Sequence, residues 1–411
     1  MPQINFSQFL LLIADALRTE DGPKLAGLLK PVEEHGKMLV KEFRNPTKHS
    51  FSAYEGSMES PWDEIAIQYV LVVNHCAKRR ASEAFKEECQ LVSLFFRYFS
   101  QHSGWTLPAL FSILRDLRDL AFDADLEARQ KGQTDTANME EAARLISKAF
   151  SNCITDRSSP YAESRRWGVY YVVGLILKSY FRVKRISLSK NILRAIDANP
   201  DIPPLSSYPK SHQVTYRYYL GMLSFLSEDF VKAEQEFTLA FYGCHVGAHR
   251  NQLRILTYLI PLRILRGHLP SKDLLDRFPV LDDLYAPFIS AIRKGDIREY
   301  DETLDRQERR LVELNLWLTL EKARELCIRG LFRRVWVSSD KSTRIPVSMF
   351  HTGLQVAGSD VPMEEAECLV ANMIYRGYMR GYISHEKQMV VLANTNTFPR
   401  LADRSNPFAQ L

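Results

Sequence analysis

Cys244, His245 and His249 lie close enough together to offer two or three ligands to a metal ion. A closed structural zinc site takes four ligands, and no CxxC pair or second histidine pair lies nearby, so the trio does not read as a metal centre. The chain has no His-x-His of the kind a metal isopeptidase uses, no GxxxxGK[ST] phosphate loop and no Gly-x-Ser-x-Gly nucleophile elbow. Asp123 and Asp125 sit on a charge-rich helical stretch, where a solvated face is the ordinary reading. Catalysis, metals and cofactors therefore have no candidate residues, and the expectation is a non-enzymatic protein.

What remains is charge. Arg165, Arg166, Lys178, Arg182, Lys184, Arg185, Lys190 and Arg194 form a thirty-residue tract with eight basic residues and no Asp or Glu. Trp167, Tyr170, Tyr171, Tyr180 and Phe181 are interleaved and have the chemistry to stack on bases. Yet Trp167 to Leu177 is apolar all round, which makes it a buried helix and its rings core. The cluster from Lys178 through Arg182, Lys184 and Arg185 to Lys190 is left as a basic patch for an acidic partner or a phosphate backbone, the alternative being a solvated face. A second basic set runs from Arg329 to Arg400, where nine basic residues face six acidic ones.

These side chains must be held by helices over most of the chain. Its 411 residues exceed one ordinary core, and the 45% hydrophobic and 25% charged fractions are globular, so two or three packed units are expected. Six cysteines without a close pair read as reduced, intracellular thiols. The first residues lack a signal-peptide pattern, and Trp167 to Leu177 is too short to span a bilayer, so the protein is expected to be soluble, in nucleus or cytoplasm. Helical spacing dominates before residue 335, with breaks expected at Arg44 to Pro61, Gly104 to Pro108, Lys131 to Asn138, Asn199 to Pro209 and Pro279 to Pro287. Leu220-Gly221, Phe230, Ala233, Phe237 and Ala240 resemble a tetratricopeptide hairpin, in which small residues admit close helix approach. Ser271 is placed to cap another helix, and one long helix is expected from about Leu311 to Val335.

After residue 335 the period changes. An extended piece over Thr343 to Val347 precedes a short helix through Met349 to Val356. A second helix follows over Met363 to Tyr375, with Ala366, Leu369, Val370, Met373 and Ile374 in one stripe. Two alternating runs, Tyr378 to Ile383 and Met389 to Ala393, complete the order of a winged helix. Glu364, Glu365 and Glu367 open the presumptive recognition helix and would repel phosphates there, so base reading is not expected. A sequence-independent contact through Arg376, Arg380 and Lys387, with Arg333 and Arg334 on the preceding helix, is.

A mainly α, tetratricopeptide-like solenoid that ends in a winged helix resembles a PCI domain. Ser164 to Gly168, Leu193 to Asp197, Val214 to Tyr219, Leu369 to Ile374 and Gly381 to His385 resemble the branch related to signalosome subunit twelve and PCI domain-containing protein 2. Trp105 to Leu110 and Leu114 to Asp119 look like its N-terminal half. The expected organisation is an N-terminal helical-repeat region (1–200), the helical part of the PCI domain (201–335), its winged helix (336–395) and a tail (396–411). The resemblance implies a scaffold that pairs with a larger PCI-type partner of the Sac-three kind and a small, acidic, disordered subunit. Such an assembly serves transcription-coupled messenger RNA export in the nucleus, at the nuclear pore; some relatives are instead accessory to the COP-nine signalosome. It also implies that the winged helix, through Leu369, Met373, Tyr375, Tyr378 and Tyr382, meets a protein partner. A DNA-binding transcription regulator is the remaining reading.

Overall fold

Amphipathic spacing becomes eighteen α-helices and one three-stranded sheet in a computed structural model that describes residues 4–132 and 136–401. The chain divides into two compact units, Met1–Tyr219 and Leu220–Leu411, each with its own core.

The first unit contains α1 (Phe6–Arg18), α2 (Gly22–Leu28), α3 (Glu34–Glu42), α4 (Trp62–Ala77), α5 (Ala81–Phe99), α6 (Leu107–Gln130), α7 (Ala137–Ile154), α8 (Val169–Arg182) and α9 (Ser189–Asp197). It ends within α10 (Lys210–Leu226). Asn5 starts α1 through a reciprocal capping box with Gln8, which satisfies two otherwise orphaned backbone donors. Buried Phe6, Phe9 and Ile13 then repeat at helical spacing. In α4, eleven of sixteen residues are buried, so it is wrapped on nearly all sides. The expected Asn199 to Pro209 break is a loop, yet no unit boundary falls there. Tyr208 is buried and donates its hydroxyl to the Arg166 carbonyl at 2.8 Å, and Gln213 donates to the Ser206 and Tyr208 carbonyls, which binds the loop into the first unit.

Asp125 corrects an expectation. It is buried, and its carboxylate accepts the backbone N–H groups of Asn138 and Met139 at 3.2 Å each, so it caps α7 from α6. Asp123 does lie on the exposed face.

The second unit continues with α11 (Phe230–Gly243), α12 (His249–Leu265), α13 (Lys272–Arg277), α14 (Pro279–Lys294), α15 (Ile297–Glu313) and α16 (Trp317–Ser338). Gly221 makes the repeat-like hairpin possible, because a Cβ there would come within 2.9 Å of the Phe237 ring. Ser271 caps α13 as expected. Pro279 to Pro287 is not a break: Pro279 occupies the first turn of α14, where its missing N–H is no loss, and Pro287 is carried inside the helix. The single long helix also divides, since Asn315 adopts a left-handed φ of 58° between α15 and α16. No helix among the described residues is long and apolar enough to cross a membrane.

The winged helix follows as β1 (Arg344–Pro346), α17 (Val347–Val356), α18 (Met363–Tyr375), β2 (Gly381–Ser384) and β3 (Met389–Leu392). The strands lie in the order β1-β3-β2, all antiparallel, with Ile345 opposite Val390 and Tyr382 opposite Val391. Ile345, Val390 and Leu392 are buried, β1 packs on α17, and β2 packs on α18. The expected tail is docked as far as Leu401. Thr397 accepts the Arg380 N–H at 2.9 Å, Arg329 donates to the Pro399 carbonyl at 2.8 Å, and Trp336 packs on Phe398. The tail beyond Leu401 lies outside the described residues.

Candidate functional site

The apolar stripe of α18 buries Ala366, Val370 and Met373, at positions i, i+4 and i+7. Met373 therefore fills the module's own core and offers no surface to a partner, contrary to expectation. Tyr378 is corrected in the same way, being only 4% exposed after the α18 C-terminus. Leu369 is half-buried. Tyr375 at the end of α18 is 83% exposed and Tyr382 on β2 is 63% exposed. Strand β2 lies at the sheet edge, so Tyr382 belongs to a strand whose outer backbone side has no strand partner among the described residues.

The expected basic residues separate into spent and available charges. Arg376 is half-buried and paired with Glu325 of α16, so its charge is answered within the unit. Arg334 is exposed but donates to the Arg293 carbonyl at 3.0 Å. Arg333, Arg380 and Lys387 are exposed, with no side-chain partner among the described residues. At the start of α18, Glu364 and Glu365 are exposed, while Glu367 accepts from His385 at 2.8 Å and Gln388 at 3.3 Å across the wing. The His385 contact lowers the Glu367 carboxyl pKa, and Glu367 raises that of the imidazole.

A groove of about 700 Å³ that no sequence motif marks adjoins this module. Leu331, Val335, Met349 and Val356 line it, together with Lys294, Arg298 and Arg334 and a single acid, Asp296. Gly295 is required at its edge: it is left-handed at φ 67°, and a Cβ would come 2.7 Å from the Leu331 backbone nitrogen. Met349 and Val356 are exposed on α17, whereas the sequence marks them only as part of a short helix.

In the first unit, the basic tract also divides. Arg165 is buried, with its guanidinium 3.4 Å from Asp156 and donating to the Phe99 carbonyl at 3.0 Å, so it is structural. Arg166 reaches Asp201 at 3.4 Å. Arg182 lies over the Phe122 ring at 4.7 Å and Arg185 pairs with Glu140 at 3.5 Å, though both remain exposed. Lys178, Lys184, Lys190 and Arg194 are exposed as well. The interleaved rings are mostly occupied internally: Trp167 donates to the Tyr161 carbonyl, Tyr170 packs on Tyr208 and Tyr216, and Tyr171 packs on Phe111 at 4.0 Å. Near Cys244, His245 accepts the Gly247 N–H and His249 lies edge-on to Phe278. Among the described residues no three His, Cys, Asp or Glu side chains are grouped to hold a metal ion.

The family model described as PCI domain matches residues 297–394, from the start of α15 through the sheet. The chain is 41% identical over 360 residues to protein CSN12 homolog of Schizosaccharomyces pombe, covering 84% of this chain and 85% of that one. It is 38% identical over 378 residues to protein CSN12 homolog of Mycosarcoma maydis, covering 86% and 83%. With PCI domain-containing protein 2 of Xenopus laevis it shares 30% identity over 406 residues, covering 98% and 99%.

Proposed function

The chain belongs to the family of CSN12 homologues and PCI domain-containing protein 2, and from that premise we propose a non-enzymatic scaffold subunit that docks a larger PCI-type partner of the Sac-three kind. The observation that carries the docking is the exposure of Tyr375 and Tyr382 beside an edge strand, because large exposed aromatics are what a protein interface buries at its centre. A partner strand added to β2 would cover both its open backbone and Tyr382. The apolar groove with three cations around it fits a short acidic chain with apolar anchors, which supports a small acidic subunit as the second partner.

Messenger RNA export in the nucleus, at the nuclear pore, is the setting we propose. Weak, salt-sensitive contact with RNA or DNA backbone falls to Arg333, Arg380 and Lys387, aided by Lys178, Arg182, Lys184 and Arg185. Base reading is disfavoured by exposed Glu364 and Glu365 at the start of α18. A second setting, the COP-nine signalosome, is favoured by the fungal relatives, each a protein CSN12 homolog. Co-purification from nuclear extract separates the two. Recovery of export factors is expected; recovery of signalosome subunits without any export factor would overturn the export assignment.

A further inference from the structure

Between α8 and α9 the chain makes one turn of 3-10 helix, Ile186–Leu188, that leaves Ser187 on the surface. The turn is entered through a left-handed cap: Lys184 has a φ of 58°, and the Arg185 N–H reaches back to the Tyr180 carbonyl at 2.9 Å. Lys184 and Arg185 therefore precede Ser187 by three and two positions, both exposed, and exposed Leu188 follows it. A kinase cleft lined with carboxylates and followed by a small apolar pocket is complementary to this order.

We propose that Ser187 is a phosphate-acceptor site for a serine/threonine kinase that selects basic residues ahead of its target. In the transfer, Ser187 Oγ bonds to the γ-phosphorus of ATP while the bond from that phosphorus to the β–γ bridging oxygen breaks. ADP leaves, and the hydroxyl proton passes to the kinase's carboxylate base. The turn suits the extended shape a kinase must impose. It is three residues long, contains no buried residue, and is held by bonds such as Leu188 N–H to the Arg185 carbonyl at 3.1 Å.

Accessibility separates this serine from its rivals. Arg79-Arg80-Ala81-Ser82 has the same spacing, but Ser82 sits half-buried in the first turn of α5, where Glu127 accepts both its N–H and its hydroxyl. Glu83 follows it instead of an apolar residue, and a phosphate there would face the Glu127 carboxylate. Ser189 is completely buried. A phosphate on Ser187 adds a charge of about −1.5 to −2 between Lys184, Arg185, Lys190 and Arg194, and competes with Glu140 for Arg185. Resting on the proposed nucleic-acid contact, the modification turns that patch off.

The test incubates the full chain with the catalytic subunit of cAMP-dependent protein kinase and Mg-ATP, and maps the product by mass spectrometry. One phosphate on Ser187 is expected. Ser187→Ala should abolish most incorporation, and Lys184→Ala with Arg185→Ala should lower kcat/KM about tenfold, while Ser82→Ala behaves as wild type. Phosphate absent from Ser187, or carried mainly by Ser82, overturns the proposal. The modified chain should then bind single-stranded RNA about tenfold more weakly, with a salt dependence shallower by about two phosphate contacts. Equal binding by the modified and unmodified chains refutes the switch. An unmodified chain that does not bind RNA refutes the nucleic-acid reading and the switch with it, while the acceptor assignment is judged by the mapping alone.

Discussion

Replacing Asp156 by Asn should destabilise the first unit severely, because Asp156 and Arg165 are both buried. The side chain is 1% exposed and accepts from Arg165 N–H at 2.8 Å, Ser164 Oγ at 3.0 Å, and the Ser158 and Ser159 N–H groups at 3.2 and 3.3 Å. Its ion partner Arg165 is 6% exposed. Asn conserves the shape, loses the charge and one acceptor oxygen, and strands a buried guanidinium. Breaking one half of such a pair costs about 3–5 kcal/mol. For a unit of this size each kcal/mol moves the midpoint by about 2–4 °C, so Tm should fall by roughly 6–20 °C. Burial works against ionisation of Asp156, but the Arg165 backbone and guanidinium and the Ser164 hydroxyl outweigh it and hold the carboxyl well below its usual range. Its stabilisation is therefore full above the unfolded value of 3.8 and is lost as pH falls beneath it, so wild-type and variant stabilities should converge in acid. Urea denaturation followed by circular dichroism from pH 3 to 8 measures this. Adding Arg165→Met should restore part of the loss, because no unpaired charge then remains. A loss below about 1 kcal/mol, or a gap that widens in acid, would refute the reasoning.

Glu88 on α5 is buried, and burial followed by the neighbouring Asp116 carboxylate pushes its pKa well above 4.5; burial also pushes Asp116 up to about 6. Stability should thus decline as pH rises above 4.5, and Glu88→Gln should raise Tm at pH 7 but hardly at pH 4, as read by calorimetry. Gly221→Val should cost about 1–3 kcal/mol by urea denaturation, because its Cβ would meet the Phe237 ring at 2.9 Å. Arg333→Glu with Arg380→Glu should weaken RNA binding uniformly across sequences and flatten its salt slope by about two, measured by fluorescence anisotropy at several salt concentrations.

The winged helix was legible because hydrophobic period changes from helical to alternating at Thr343, and such a switch is local. Ser271 and Gly221 were legible for the same reason: a cap and a close approach depend on residues a turn or a hairpin away. Asp125 was missed because its partners, Asn138 and Met139, belong to the next helix, and Arg165 because its acceptors lie at Asp156 and Phe99. Pro287 shows tertiary packing overriding a breaker: α14 keeps Leu284, Tyr285 and Phe288 buried around it. Within the site, periodicity marked the α18 stripe but did not rank its ends, so buried Tyr378 and exposed Tyr375 carried equal weight. The groove beside α17 was invisible, being built from residues that run from Lys294 to Ala357.

The central claim, docking of a PCI-type partner through the winged helix, is tested by affinity purification of the wild-type chain beside a Tyr375→Glu, Tyr382→Glu variant. Both side chains are exposed, so the variant should match wild type in circular dichroism and Tm. Burying two such aromatics is worth about 2 kcal/mol or more each when they anchor an interface, and their loss should remove the partner from the eluate. Stoichiometric recovery of a second PCI-domain subunit with wild type, and its absence with the folded variant, is the predicted result. Equal recovery with both chains would contradict the account.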